Sequence, residues 1–318
     1  MIVWLYIGII MIMRVVQSVF TKRAASSVPK NMIGYLKYTT YYQFLAGLFA
    51  LGLFIIEVIK IGEVVEIGAT LTYASISGFA LAICCMCGVY ALGTGTMVLN
   101  SLFGTAGLLI PTIASMFLYG EILRPLQWIG ILIFMVGAYL LIGASKDTYG
   151  KFSIKTFLVL VLSLVTNGLT MLMQKMFGMN VVGGSVSLFS FSSFFSGVFV
   201  MCLFLLCVFP IYRKRLSENS LNETIDDFKF FPNKQEEIFL PKPLFIYGLM
   251  LAIALFVINQ FATMATPLIS AVVLFAMING GATVISAIVG AIMYKEKISI
   301  KTVLGIVLGI GALILIQL

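Results

Sequence analysis

Apolar residues run along this chain in long blocks, without the spacing of an amphipathic helix or the alternation of a half-buried strand. Blocks of about 20 apolar residues are what an α-helix needs to cross the hydrocarbon of a bilayer. The pattern predicts ten such segments, at roughly 2–22, 34–56, 70–93, 97–118, 125–143, 154–177, 184–211, 243–263, 268–292 and 299–317. Most connections between them are short. The exception is 213–242, which opens on Arg213-Lys214-Arg215, passes Asp226-Asp227 and Glu236-Glu237, and closes on Pro241-Lys242-Pro243. It reads as the one long water-facing loop.

Two of these stretches read as copies. A shift of 175 residues carries Tyr119 onto Tyr294, Glu121 onto Glu296, Gly130 onto Gly305 and Leu140 onto Leu315. A weaker match at a shift of 153 carries Lys22 onto Lys175 and Ala25 onto Gly178. The two shifts differ by 22 residues, about the excess length of the polar loop over its counterpart around 57–69. The fold expected is therefore all-α and membrane-embedded, ten helices as two five-helix repeats covering 1–144 and 145–318. An odd number of helices per copy inserts the copies in opposite orientations, an inverted repeat used by many secondary transporters.

Composition agrees with lipid as the solvent. Of 318 residues 61% are hydrophobic and 10% charged, with a mean hydropathy of +1.12; a soluble domain carries about 25% charged residues. The N-terminus is apolar from Met1, without the basic start or small-residue cleavage site of a signal peptide, and reads as a retained first helix. A net charge of +8 would suggest nucleic acid in a soluble protein, but here the basic residues cluster at the ends of apolar blocks. That is where they meet anionic headgroups, so no nucleic-acid partner is expected.

Sixteen Lys and Arg flank the connections after helices 1, 5, 7 and 9 and three flank the others, which places the sixteen in the cytoplasm and both termini outside a cell membrane. There is no His, which removes imidazole metal sites and histidine acid–base chemistry. The cluster Cys84, Cys85 and Cys87 diverges around a helix and reads as small-residue packing, and no cofactor is expected. The chain has no phosphate-binding glycine loop that could drive transport with ATP.

The residues Tyr119-Gly120-Glu121, then Gln127-Trp128-Ile129-Gly130, and their partners Glu296 to Gly305 resemble the drug/metabolite transporter superfamily in its EamA-like branch. The resemblance implies export or exchange of small organic metabolites through a central cavity, with helices 5 and 10 peripheral, where two copies could meet as a homodimer. Ten-helix relatives usually keep both termini in the cytoplasm, and the charge distribution here argues the reverse.

Arg14 is the most informative candidate. It stands about eight positions before the end of the first apolar block, roughly 12 Å deep at 1.5 Å per residue. A charge at that depth is costly unless it faces water or a partner. Either it lines the cavity and attracts an anionic group, or it snorkels and pairs with backbone. Gln17, three residues on, shares its face. Helix 6 repeats the idea with Asn167, Thr170, Gln174 and Lys175; the 153-residue shift carries Arg14 onto Asn167 and Gln17 onto Thr170.

Further polar candidates are Asn100, Ser101 and Thr105 in helix 4, ahead of a kink at Pro111, Asn259, Gln260 and Thr263 in helix 8, and Asn279 beside Gly280-Gly281 in helix 9. Each could line a substrate site or join neighbouring helices by hydrogen bonds. The paired glycines suit close helix approach or local unwinding. Tyr90, with Tyr41, Tyr42 and Gln43, could stack on a planar substrate or simply pack. Glu121 and Glu296 read as structural charges beside Arg124, Lys295 and Lys297.

No Asp or Glu lies at mid-membrane depth, so a carboxylate that exchanges proton for cation is missing. The expectation is a secondary transporter of a neutral or anionic metabolite, working by alternating access. It is not an enzyme, since no acid, His or Ser/His cluster gathers at an interface. A membrane scaffold or regulatory subunit is the other reading.

Overall fold

The computed structural model describes residues 2–25, 27–29, 31–62, 64–94, 103–104, 106–144, 154–217, 224–225, 228–229, 241–281 and 300–317. Apolar blocks become helices here because a backbone in lipid must satisfy its own hydrogen bonds within the segment. The helices are α1 (Ile2–Ala25), α2 (Met32–Ile61), α3 (Ile67–Thr94), α4 (Leu109–Tyr119) and α5 (Pro125–Ala144) in the first half. In the second half are α6 (Ile154–Asn180), α7 (Val186–Ser217), α8 (Pro243–Ala265), α9 (Ala271–Phe275, continued by a π-helical turn, Ala276–Gly281) and α10 (Ile300–Gln317). Helices α1, α2, α3, α6, α7 and α8 are each long and apolar enough to cross a membrane. The described residues are predominantly helical, and these six apolar helices mark a multi-pass membrane protein.

Several ends are set by local chemistry. Asn31 caps α2, its side chain accepting from the Gly34 amide at 2.8 Å. Gly120 ends α4 in the left-handed region at φ +64, a conformation that costs glycine nothing, and so turns the chain into Glu121. A turn at 107–108 precedes α4, and Pro111, where a kink is expected, stands in the first turn of the helix. Helix α7 runs on to Ser217, into the stretch expected as loop. In that loop Thr224–Ile225 (β1) and Phe228–Lys229 (β2) pair as a small antiparallel hairpin.

Helix packing follows a definite scheme. Helix α1 lies along α8, and α3 along α6. Helix α2 packs on both α7 and α8, while α7 packs on both α2 and α3. Helices α5 and α10 pack on each other, with the π-helical turn of α9 against α1 and α10. Small residues make the tightest approaches. A Cβ placed on Gly130 would meet Ala312 O at 3.0 Å, and one on Gly137 would meet Gly305 O at 3.2 Å. A Cβ on Gly78 would fall on the Ser193 carbonyl, so α3 and α7 touch nearly backbone to backbone there. Phe117, Leu132, Phe199, Leu206 and Val307 point outward, as lipid-facing side chains do in a bundle without an aqueous surface.

The contacts also sort the helix ends into two faces. At one, Glu57 ending α2 accepts from Ser185 at 2.8 Å, and Tyr119 ending α4 donates to Asn180 ending α6 at 3.2 Å. Asn180 in turn donates to Tyr73 at the start of α3 at 3.1 Å. At the opposite face Phe20 of α1 meets Tyr247 of α8 at a tilt, and Tyr41 of α2 meets Phe245 edge-on.

Candidate functional site

Arg14 sits in the middle of α1, whose 24 residues extend three positions further than the apolar block suggests. Its Nη1 donates to Gln17 Oε1 at 3.2 Å, one helical turn on. Its Nε is buried and has no partner among the described residues. No carboxylate among those residues pairs with the guanidinium. Across from it on α3, within electrostatic reach, lies the Cys84 thiol, beside Ser163 and Thr166 of α6. The adjacent Cys85 accepts from Gln43 Nε2 of α2 at 3.1 Å, and Gln43 Oε1 is buried without a partner among the described residues. These side chains form a polar layer across α1, α2, α3 and α6 near half the helix length.

A second cluster joins α6, α7 and α8. Gln174 Nε2 donates to Asn259 Oδ1, while the Asn259 amide nitrogen is buried and unpartnered among the described residues. Gln260 accepts from Ser190 at 2.9 Å and donates to Ser187 at 3.3 Å. Gln260 is thereby engaged by helix α7, as inter-helix hydrogen bonds in membranes often arrange.

The other candidates divide. Asn167 Nδ2 donates to the Gly104 carbonyl at 2.6 Å, beside a close approach of Gly107 to Gly168. It therefore joins α6 to the α4 region. Thr170 returns its hydroxyl to the Thr166 carbonyl at 3.0 Å, within its own helix. Thus the 153-residue shift pairs Arg14 and Gln17 with residues that make different contacts. Asn279 lies in the π-helical turn, its amide 3.7 Å from Met171 Sδ. Beside it Gly280 meets the Phe134 ring and Gly281 meets Met11, the close approach expected of paired glycines. A π turn inserted in a helix is frequently found at functional positions.

Tyr90 belongs to α3, but its side chain, like Asn100, Ser101, Thr105 and Glu296, lies outside the described residues. Gly130 and Gly305 serve the α5–α10 contact. Glu121 is paired not with the neighbouring Arg124 but with Lys175 of α6, Oε1 to Nζ at 2.8 Å. Two members of these clusters are not legible as site residues from the sequence. From sequence, Gln43 reads only as a stacking partner and Cys84 only as packing, while Lys175 stands in the polar stripe of helix 6 without a partner named for it. A mid-helix amide in each of α2, α6 and α8 was the available signal for the first.

The arrangement supplies hydrogen-bond donors and acceptors and one cation in a non-aqueous interior. It can bind and orient a small polar molecule. Among the described residues there is no group of His, Cys, Asp and Glu arranged to hold a metal ion.

No family model and no curated protein matches the chain. Among 28 solved chains that match, one crystal structure superposes with a TM-score of 0.67 over 98% of this chain and 94% of its own length. It is described only as the structure of a protein, and at 15% identity the likeness is one of fold alone.

Proposed function

We propose that the chain is a secondary transporter of the drug/metabolite type, built from two inverted five-helix repeats, which moves a small neutral or anionic organic metabolite by alternating access. The observation that carries this reading is Arg14. A guanidinium halfway along an apolar helix, with a buried free donor and no carboxylate beside it among the described residues, is costly in lipid. Such a group earns its place by meeting something negative or polar that arrives from outside the fold.

The packing scheme supports the repeat. Exchanging helix n with helix n+5 carries the α1–α8 contact onto α6–α3, and α3–α7 onto α8–α2; the contacts α2–α7 and α5–α10 return to themselves. The same holds for residues. The 175-residue shift carries Gly130 onto Gly305 and Gly137 onto Ala312, so the Gly130–Ala312 and Gly137–Gly305 approaches are mates. On this reading the mobile parts are bundles related by a pseudo-two-fold axis in the membrane plane, and the polar layer around Arg14 lies between them. Positive-inside bias favours a cell membrane with both termini outside.

The scaffold reading draws on Asn167, Thr170 and Gln260, whose side chains are engaged by protein. It gives no role to the free donors of Arg14 and Asn259. The deciding experiment is a thermal-shift screen of the purified protein against small carboxylates, phosphates and neutral metabolites, followed by flux of any hit into proteoliposomes. A hit should raise the melting temperature by about RT ln(1+[L]/Kd) over the unfolding entropy, and Arg14→Gln should abolish both shift and flux. Flux unchanged in Arg14→Gln removes Arg14 from the site.

A further inference from the structure

The most completely satisfied charged group in the described structure is not at the centre but near the helix ends on the Glu121 face. Lys175 is only 2% exposed. Its Nζ donates to Glu121 Oε1 at 2.8 Å, to the Thr266 carbonyl at 2.9 Å and to the Ile269 carbonyl at 3.0 Å. An ammonium has three donors, so none is left over. The second oxygen of Glu121 accepts from the Ala271 amide at 3.0 Å, the first residue of α9. Thr266 adds a bond of its own to the Gln174 carbonyl at 3.2 Å, and Gly178 of α6 lies directly against Thr266.

Three pieces of chain meet at this point: the turn after α4, the last turns of α6, and the connection from α8 to α9. The first belongs to the amino-terminal half and the others to the carboxy-terminal half. The knot stands directly above the Gln174–Asn259 cluster, since Gln174 precedes Lys175 and Thr263 lies one turn before Thr266.

We infer that the Glu121–Lys175 pair is the latch that closes the Glu121 face of the bundle over the polar interior, and that it separates when that face opens. This rests on the transport reading for its purpose, though not for its geometry. The choice of an ion pair fits a contact that must be remade. Two charges held out of water gain little over an apolar contact while together, yet leaving either one alone in the interior is strongly unfavourable. The closed state is thus cooperative: all partners in place or none. When water enters, both charges regain hydration, whereas an apolar plug would expose its surface at every opening.

The test uses the full chain with its five native cysteines replaced by Ser or Ala and a single Thr263→Cys placed below the latch. A membrane-impermeant, positively charged thiosulfonate reagent is applied separately to each face. With the latch intact, labelling from the Glu121 face should be slow. Glu121→Gln, which keeps an acceptor for the Ala271 amide, and Glu121→Asp, which keeps the charge but falls short by a methylene, should each speed it by on the order of tenfold or more. Labelling from the opposite face should not rise. Lys175→Met should behave like Glu121→Gln; should it fail to fold, the two Glu121 variants decide. Unchanged labelling in monodisperse Glu121 variants overturns the latch. Faster labelling in a chain that moves no metabolite keeps the latch and removes the transport reading instead.

Discussion

At the scale of single residues, buried polar atoms separate those that hold the fold from those left free to meet a ligand. Ser187, Ser190 and Gln260 complete one another's hydrogen bonds, whereas Arg14 Nε, Gln43 Oε1 and Asn259 Nδ2 have none among the described residues. Replacing Gln260 by Leu should therefore lower stability, by about 1–3 kcal/mol for the groups stranded on α7, and it should spare ligand affinity. Replacing Arg14 by Gln should do the reverse: removing an uncompensated charge leaves the melting temperature unchanged or raised while ligand-induced shifts vanish. Paired thermal melts with and without a screening hit read both effects. A parallel loss of stability and binding in both variants would merge the two classes.

The residue types of this layer were legible beforehand, but their partners were not. A polar stripe on helix 6 is visible from spacing, yet Asn167 turning to the Gly104 carbonyl and Gln174 turning to Asn259 depends on which helices lie alongside. Glu121 shows the same limit. Its nearest cation along the chain is Arg124, but the left-handed Gly120 redirects the backbone and brings Lys175, 54 positions away, to its carboxylate.

Helices were the most predictable level, because length and apolarity alone fix them in lipid. The boundaries moved outward by a few residues at the ends of α1 and α2, where the last turns carry Lys or Arg that a hydropathy block excludes, and by three residues at the start of α3. Pro111 lies just after the turn that precedes α4, and Gly280-Gly281, which from sequence suit either packing or unwinding, close the π-helical turn of α9. Helix pairing, however, could be expected only from the repeat, since a helix apolar on all sides gives no indication of which face meets a neighbour. At this scale Gly137→Leu is expected to force α5 and α10 apart at the Gly305 carbonyl, costing about 1–3 kcal/mol by overpacking. Denaturation in detergent with Gly311→Leu as control checks it, because a Cβ at Gly311 meets nothing.

For the molecule as a whole, the proposed inverted repeat makes a sidedness prediction. Cysteines placed at Ser27, after α1, and at Val182, after α6, should label from opposite sides of the membrane; labelling from the same side would end the inverted-repeat reading. The repeat also carries the Glu121–Lys175 pair onto Glu296 and Lys22, whose side chains lie outside the described residues. Single reversals Lys22→Glu and Glu296→Lys should each impair flux, and the two together should recover much of it. A double-mutant cycle measures that interaction, and strict additivity would mean the two residues are independent.

The π-helical turn at Ala276–Gly281 has a consequence for how the chain tolerates shortening. Such a turn holds one residue more than regular α-helix would over the same span. Deleting Met277 should let the segment relax to regular α-helix without sliding the flanking stretches out of register. The same one-residue deletion in the middle of α8 would rotate everything beyond it by about 100°. Yield of folded protein from the two deletions should differ sharply. A shortened α9 that still folds but no longer binds would mark the surplus residue as retained for function, at some expense in helix regularity.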